Sequence, residues 1–221
     1  MNKTIAPPLR TLLKEVKKNL AQKEKLREDA HERMRKTTSL SKQSILLTHQ
    51  KRLEEAKKQL EKAAGLLASL RTLSKEQPEI VYGGMFSAAL QEYAEANIFV
   101  HLIEESRFVT PMEIDVPPVD FVLGLGDVVG ELRRSALDAL RNGDVKGGEK
   151  CLALMDEIYI ELMALDEAYM LVPGLRRKSD VARRVIEATR GDITQEARRA
   201  SLEKYLKRFE KQMKAAKRSK G

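Results

Sequence analysis

Four acidic residues lie in two otherwise apolar segments of this chain. Glu92 and Glu95 are three residues apart in LQEYAEANIF, and Asp127 and Glu131 are four residues apart in LGDVVGEL. On a helix these spacings turn the side chains by about 60° and about 40°, so each pair would present its oxygens from one face. A carboxylate that leaves water is costly unless a positive charge compensates it.

Divalent cations are the compensation that suits these pairs. Mg²⁺ and Mn²⁺ prefer oxygen ligands, and the only basic residues within one turn of either pair are Arg133 and Arg134, beside Glu131. The four carboxylates therefore predict a site for one or two Mg²⁺ ions, with Mn²⁺ as a substitute, provided that their helices pack together. The open alternative is that each pair faces solvent on a surface helix.

Three glycines accompany the second pair, at Gly124, Gly126 and Gly130. Each costs roughly 1 kcal/mol relative to alanine inside a helix, so their presence needs a reason. The close approach of another helix, or of a substrate backbone, would supply one. Asp120 follows Pro118, where it is either favoured by the helix dipole or an outer ligand of the metal.

Other chemistries have weaker support. The three histidines are scattered, and the single cysteine, Cys151, has no activating neighbour in the sequence. No glycine-rich phosphate loop follows a strand. The remaining acidic residues near the two pairs stand in mixed sequence and are mostly expected to face solvent: Glu104, Glu105, Asp156, Glu157, Glu161, Asp166 and Glu167.

Long helices must position these residues. A charged fraction of 33% with only 5% aromatic residues favours charge-laced helices over a sheet. The period of the apolar residues predicts six or seven helices in one all-α domain that spans residues 1–221. We expect a break or a bend at Thr37–Ser39 and a helix that starts at Pro118. Gly143 should end that helix, and Asp144 should cap the next one, which should stop at Pro173 and Gly174. Ser179 or Asp180 should cap the following helix, and Gly191 should divide it from the last one.

Charge is distributed unevenly along the chain. Residues 1–78 carry a net charge of +10, residues 79–203 of −9 and residues 204–221 of +7. Basic blocks attract polyanions, of which nucleic acid is the commonest, and an acidic centre suits bound cations. No apolar run is long enough to span a membrane and no secretory signal is evident, so we expect a cytoplasmic protein without a membrane partner.

Four segments, between about Arg33 and Arg190, resemble the translin family. PPVDFVLGLGDVVGELRR and LQEYAEANIFVHLI are similar to signature helices of translin-associated factor X, the catalytic member. SKQSILLTHQ resembles the family's basic N-terminal helix, and YMLVPGLRRKSDVARRVIEATRG resembles its C-terminal stretch. The resemblance implies an all-α fold of seven helices that assembles into a hollow homo-octamer. The short connectors suggest a compact archaeal type of member built from one chain.

The resemblance also implies a Mg²⁺-dependent endoribonuclease that binds RNA, single-stranded or duplex, and single-stranded DNA in some members. The family's catalytic metal ligands fall on Glu92, Glu95, Asp127 and Glu131. Its nucleic-acid-binding basic residues fall on Arg35, Lys42 and His49, although Gln43 and Gln50 stand where the family often has arginine. Two rival hypotheses remain: a non-catalytic nucleic-acid-binding shell, and a helical scaffold for a protein partner.

Overall fold

The computed structural model describes residues 8–165 and 169–218, with side chains through Lys214. Within these residues it has helices and no strand, which confirms the predicted all-α fold. The seven described helices are α1 (Leu9–His49), α2 (Leu53–Glu76), α3 (Pro78–Val81), α4 (Gly84–Glu105), α5 (Pro118–Arg141), α6 (Val145–Ala164) and α7 (Leu175–Arg218). They form two compact units, Met1–Val100 and His101–Gly221. Across the described part of the chain, every helix is too short or too polar to cross a bilayer.

In the first unit, α1 and α2 form an antiparallel hairpin. The chain reverses at Lys51, whose φ of 61° lies in the left-handed region. Arg33 Nη1 of α1 donates to Ser69 Oγ of α2 at 3.1 Å, and earlier on α1 Lys23 Nζ donates to Glu79 of α3 at 2.8 Å. The facing apolar side chains are buried at helical spacing: Ala30, Met34, Ala56, Leu60, Ala63, Leu67 and Leu70.

The part of α4 that belongs to this unit runs parallel to α1. Lys42 Nζ lies 3.3 Å from Glu92 Oε1. Seven residues further along both helices, the rings of His49 and Phe99 lie 4.8 Å apart. Two contacts with the same offset require that the helices point the same way. Every residue from Tyr93 to Val100 is buried, so this stretch of α4 is enclosed on all sides.

The expected break at Thr37–Ser39 does not occur, because α1 continues to His49. A row of small polar residues on α1 is buried: Thr37, Ser41, Ser44 and Thr48. Thr37 donates to the carbonyl of Arg33 at 2.9 Å, and Ser41 and Thr48 likewise donate to the carbonyls four residues before them. Since three of these four hydroxyls find acceptors within the helix, they can enter the interior without interrupting it. The fourth, Ser44 Oγ, is buried without a hydrogen-bond partner among the described residues.

In the second unit, α5 and α6 form a hairpin whose turn was predicted correctly. Gly143 adopts a φ of 76°, which favours glycine, after α5 ends. The Asp144 side chain accepts a hydrogen bond from the Gly147 N–H at 2.9 Å and caps α6. The third helix, α7, packs against both, and its Arg190 donates to both carboxylate oxygens of Asp156 in α6 at 2.9 and 3.0 Å.

The prediction that the α6 helix extends to Pro173 was wrong, because α6 ends at Ala164. Four apolar side chains around and beyond this end are exposed, at Met163, Leu165, Met170 and Leu171, whereas Val172 is buried. A longer helix would bury little apolar surface with these four side chains, so little would stabilise it. Two of the acidic residues expected to face solvent, Asp166 and Glu167, lie outside the described residues.

The predicted division of the C-terminal segment at Gly191 was also wrong, since α7 is one helix. Arg133 of α5 donates to Thr189 Oγ1 at 2.8 Å and pairs with Asp192 at 3.0 Å. These contacts on both sides of Gly191 hold the helix across the glycine. Ser179, predicted as a cap with Asp180 as the alternative, lies inside the helix and is only 2% exposed.

We expect Gly191→Ala to raise the free energy of unfolding by about 0.5–1 kcal/mol, because alanine has the better helix propensity. The site is open, with no described atom within 4 Å of the added methyl group. Gly174→Ala is the matched control, and it should destabilise the protein because Gly174 has a φ of 94°. Urea denaturation measures both. A destabilising Gly191→Ala substitution would show that the helix is interrupted at this residue.

Candidate functional site

The first carboxylate pair lies on α4, with Glu95 inside the enclosed stretch and Glu92 one residue before it. Glu95 is 8% exposed, and the Glu92 side chain is 27% exposed. The ammonium group of Lys42, on α1, lies 3.3 Å from Glu92. The positive charge that partly compensates this pair therefore comes from a residue fifty positions earlier in the chain, which helical spacing alone does not reveal.

The predicted nucleic-acid-binding residues Arg35, Lys42 and His49 follow one another at seven-residue intervals on α1. This spacing places them on one face of the helix. Arg35 and Lys42 are exposed, whereas His49 is half-buried and its ring lies against Phe99 at an interplanar angle of 41°. Of these three residues, Lys42 contacts one of the predicted metal ligands, Glu92.

The second carboxylate pair lies on α5 and is half-buried. Its neighbours Val128 and Leu132 are fully buried, so Asp127 and Glu131 stand at the edge of an apolar face. The ammonium group of Lys178, on α7, donates a hydrogen bond to Asp127. The Lys178 side chain is only 23% exposed.

Gly126 makes room for this lysine. A methyl group on Gly126 would lie 3.3 Å from Lys178 Cβ and 3.7 Å from Leu162 Cδ1. The predicted close approach of another helix is therefore confirmed at Gly126, which faces both α6 and α7. Gly130 differs, because it is exposed and no described atom lies within 4 Å of the position of its missing Cβ.

Lys178 is the residue of this site that the sequence analysis missed. Arg133, one of the two basic residues near Glu131 in the sequence, contacts Thr189 and Asp192 of α7. One signal was available in the sequence. The buried residues of α7 recur at helical spacing, at Leu175, Ser179, Ala182, Ile186, Thr189 and Ile193, and this period places Lys178 beside the buried face.

The other candidates for chemistry are acidic residues and Cys151. Asp120 is buried in the first turn of α5, which agrees with the helix-dipole alternative. Glu104, Glu105, Glu157 and Glu161 are exposed, as predicted, whereas Asp156 is bound to Arg190. Burial raises the pKa of the Cys151 thiol, and the charge of Asp144 raises it further, so a thiolate nucleophile is disfavoured.

The donor chemistry of the four predicted ligands suits a hard divalent cation, since all four are carboxylates. The ammonium group of Lys42 lies beside Glu92 and that of Lys178 beside Asp127, so one carboxylate of each pair already contacts a positively charged group. Among the residues that the structure describes, no three carboxylate, histidine or cysteine side chains come together as a ready set of metal ligands.

Comparison with known proteins identifies the family. The sequence profile of the translin family matches residues 9–188. The chain belongs to the translin family. It is also 33% identical over 158 residues to an uncharacterized protein of Methanocaldococcus jannaschii, a match that covers 71% of this chain and 69% of that protein.

Solved structures of similar proteins share the fold of this translin-family chain. The crystal structure of AfC3PO is 38% identical and has a TM-score of 0.74, and a structure of AfC3PO with duplex RNA has a TM-score of 0.73. Each match covers 84% of this chain and 96% of that one. The crystal structure of apo-NeC3PO is 24% identical with a TM-score of 0.73, over 88% of this chain and all of that one, and indicates the fold alone.

The two glycines of α5 should respond differently to alanine. We expect Gly130→Ala to stabilise the protein by about 0.5–1 kcal/mol, because its site is open. At Gly126 the added methyl group would lie 3.3 Å from Lys178 Cβ, so Lys178 would have to shift and the gain should be cancelled or reversed. Equal stabilisation of both variants in thermal unfolding would contradict the close approach of Lys178 to α5.

Proposed function

We propose that this chain binds RNA through basic residues of α1. The observation that carries the proposal is the similarity to AfC3PO, a protein whose structure has been determined with duplex RNA. At 38% identity over 84% of this chain, that similarity extends beyond the fold. Arg35 and Lys42 supply exposed positive charge on one face of α1, where phosphate groups of the RNA backbone can be contacted.

We further propose that the chain is a divalent-cation-dependent endoribonuclease. Glu92, Glu95, Asp127 and Glu131 would hold one or two Mg²⁺ ions, or Mn²⁺ ions, through their carboxylate oxygens. When bound, such an ion lowers the pKa of a coordinated water and neutralises charge on the scissile phosphate. Lys42 links the two functions, because the side chain that would contact RNA lies beside Glu92.

A second candidate function is a non-catalytic RNA-binding protein. The ion pairs of Lys42 with Glu92 and of Lys178 with Asp127 favour it, because these two acidic side chains then have a positive partner without any metal. Both candidates predict RNA binding. They differ in whether Mg²⁺ is bound and whether the RNA is cut.

With labelled single-stranded RNA, we expect cleavage in Mg²⁺ and none in EDTA. Asp127→Asn and Glu131→Gln should each lower the rate by at least about a hundredfold, because each removes charge from the metal ligands. Attack by water should leave 5′-phosphate and 3′-hydroxyl ends, which separates this activity from a contaminating nuclease that forms cyclic phosphates.

The matched control is Asp138→Asn, which alters a carboxylate on the same helix that pairs with Arg141 at 3.1 Å. It should cleave at the wild-type rate. Cleavage that persists in EDTA, or in both metal-site variants, would exclude the metal-site assignment. Salt-sensitive RNA binding without cleavage would support the non-catalytic candidate, and the absence of both would favour a protein scaffold.

RNA binding should weaken steeply as salt rises, since contacts with phosphates release counterions. Arg35→Ala and Lys42→Ala should each reduce the slope of log affinity against log salt by about 1. Lys62→Ala, which removes an exposed lysine from α2, is the control and should leave the slope unchanged. If the slopes of all three variants equal that of the wild type, α1 is not the RNA-binding face.

Further expectations from the family resemblance stay predictions. They are a role of His49 in nucleic-acid binding, assembly into a hollow homo-octamer, binding of single-stranded DNA and a cytoplasmic location. For His49, contact with Phe99 already accounts for the position of its ring, so an RNA contact would use the remaining exposed part of the side chain.

A further inference from the structure

The contact between Lys178 and Asp127 joins a predicted metal ligand to a side chain to which no function has been assigned. Lys178 belongs to α7 and Asp127 to α5, and both helices lie in the second unit. The lysine side chain is 23% exposed and the aspartate side chain 40% exposed, so the pair is partly withdrawn from water. An ion pair of this kind is screened less than one on the open surface.

The stem of Lys178 is held in place by packing. Gly126 lies one residue before Asp127, and a methyl group on it would lie 3.3 Å from Lys178 Cβ and 3.4 Å from Cδ. The methylene groups of Lys178 therefore pack against the backbone of α5 at Gly126, and its ammonium group contacts the carboxylate of Asp127. Lys42 beside Glu92 is different, because its side chain is 64% exposed and can move more freely.

We propose that Lys178 is a positioning residue that competes with the divalent cation for Asp127. This inference rests on the proposed metal binding. In the metal-free protein the ammonium group orients the Asp127 carboxylate and compensates its charge. A cation that binds Asp127 must displace the ammonium group or accept its repulsion at short range, so Lys178 lowers the affinity of the site for metal.

The experiment is a Mn²⁺ titration of the metal-free full chain, in which electron paramagnetic resonance measures the free ion. We expect Lys178→Met to bind Mn²⁺ about tenfold more tightly than the wild type, because it keeps an unbranched apolar stem beside Gly126 but loses the charge. Lys178→Arg keeps the charge and should stay near the wild-type affinity. Arg184→Met, an exposed position on the same helix, is the second control and should leave the affinity unchanged.

A thermal-unfolding cycle without metal tests the contact itself. Lys178→Met and Asp127→Asn should each lower the melting temperature, and the double variant should lower it by less than the sum of the two. Additive losses would overturn the inference, because the two side chains would then not interact. Lys178→Gln replaces Lys178→Met in both measurements if the methionine variant fails to fold.

The outcomes also separate this inference from the proposed function. If the wild type binds Mn²⁺ and Lys178→Met binds it with equal or lower affinity, only the competition is overturned. If neither the wild type nor any Lys178 variant binds Mn²⁺, both the metal site and the competition are overturned. Coupling in the unfolding cycle together with tighter Mn²⁺ binding by Lys178→Met would support the competition.

Discussion

An ionised carboxylate at the edge of an apolar interior needs a positive charge close by, and this requirement governs both units of the protein. Burial of such a group costs several kcal/mol unless a partner replaces the interactions that the carboxylate loses with water. In the first unit the partner of Glu92 is Lys42, and in the second the partner of Asp127 is Lys178. Both lysines come from helices distant in sequence, so the carboxylates are compensated only after the chain has folded.

The same packing arrangement provides the lysine in each unit. Two helices form an antiparallel hairpin, and a further helix returns parallel to the first. In the first unit α1 carries the lysine and the parallel α4 carries the carboxylate. In the second unit α5 carries the carboxylate and the parallel α7 carries the lysine. Contacts advance in the same direction along both parallel helices, from Asp127–Lys178 to Arg133–Thr189 in the second unit, so a charge on one helix can be matched on the other.

The helices and the acidic pairs could be predicted from the sequence because both depend on local spacing. Helical period and cap residues are local signals, and they located α5 and the Gly143–Asp144 turn correctly. The errors occurred where tertiary contacts decide the outcome. Gly191 lies inside a continuous helix because Arg133 binds residues on both sides of it. The α6 helix ends early, at Ala164, where the apolar side chains of Met163, Leu165, Met170 and Leu171 are exposed.

Lys178 illustrates the same limit at the site. Its place beside the buried face of α7 could be inferred from periodicity, but its contact with Asp127 depends on how closely α7 approaches α5. Gly126 sets that distance, and the sequence left open whether a helix or a substrate would fill the space. The metal ligands themselves remain a prediction, because their assignment rests on donor chemistry and family resemblance.

The buried hydroxyl row of α1 has a consequence for how the protein can be handled. Thr37, Ser41 and Thr48 donate to backbone carbonyls of their own helix, and none of these bonds involves a charge. Ionic strength screens charged groups but has little effect on short neutral hydrogen bonds in the interior. A concentrated salt wash during purification therefore weakens ionic contacts on the surface and leaves the hydrogen bonds of this row intact.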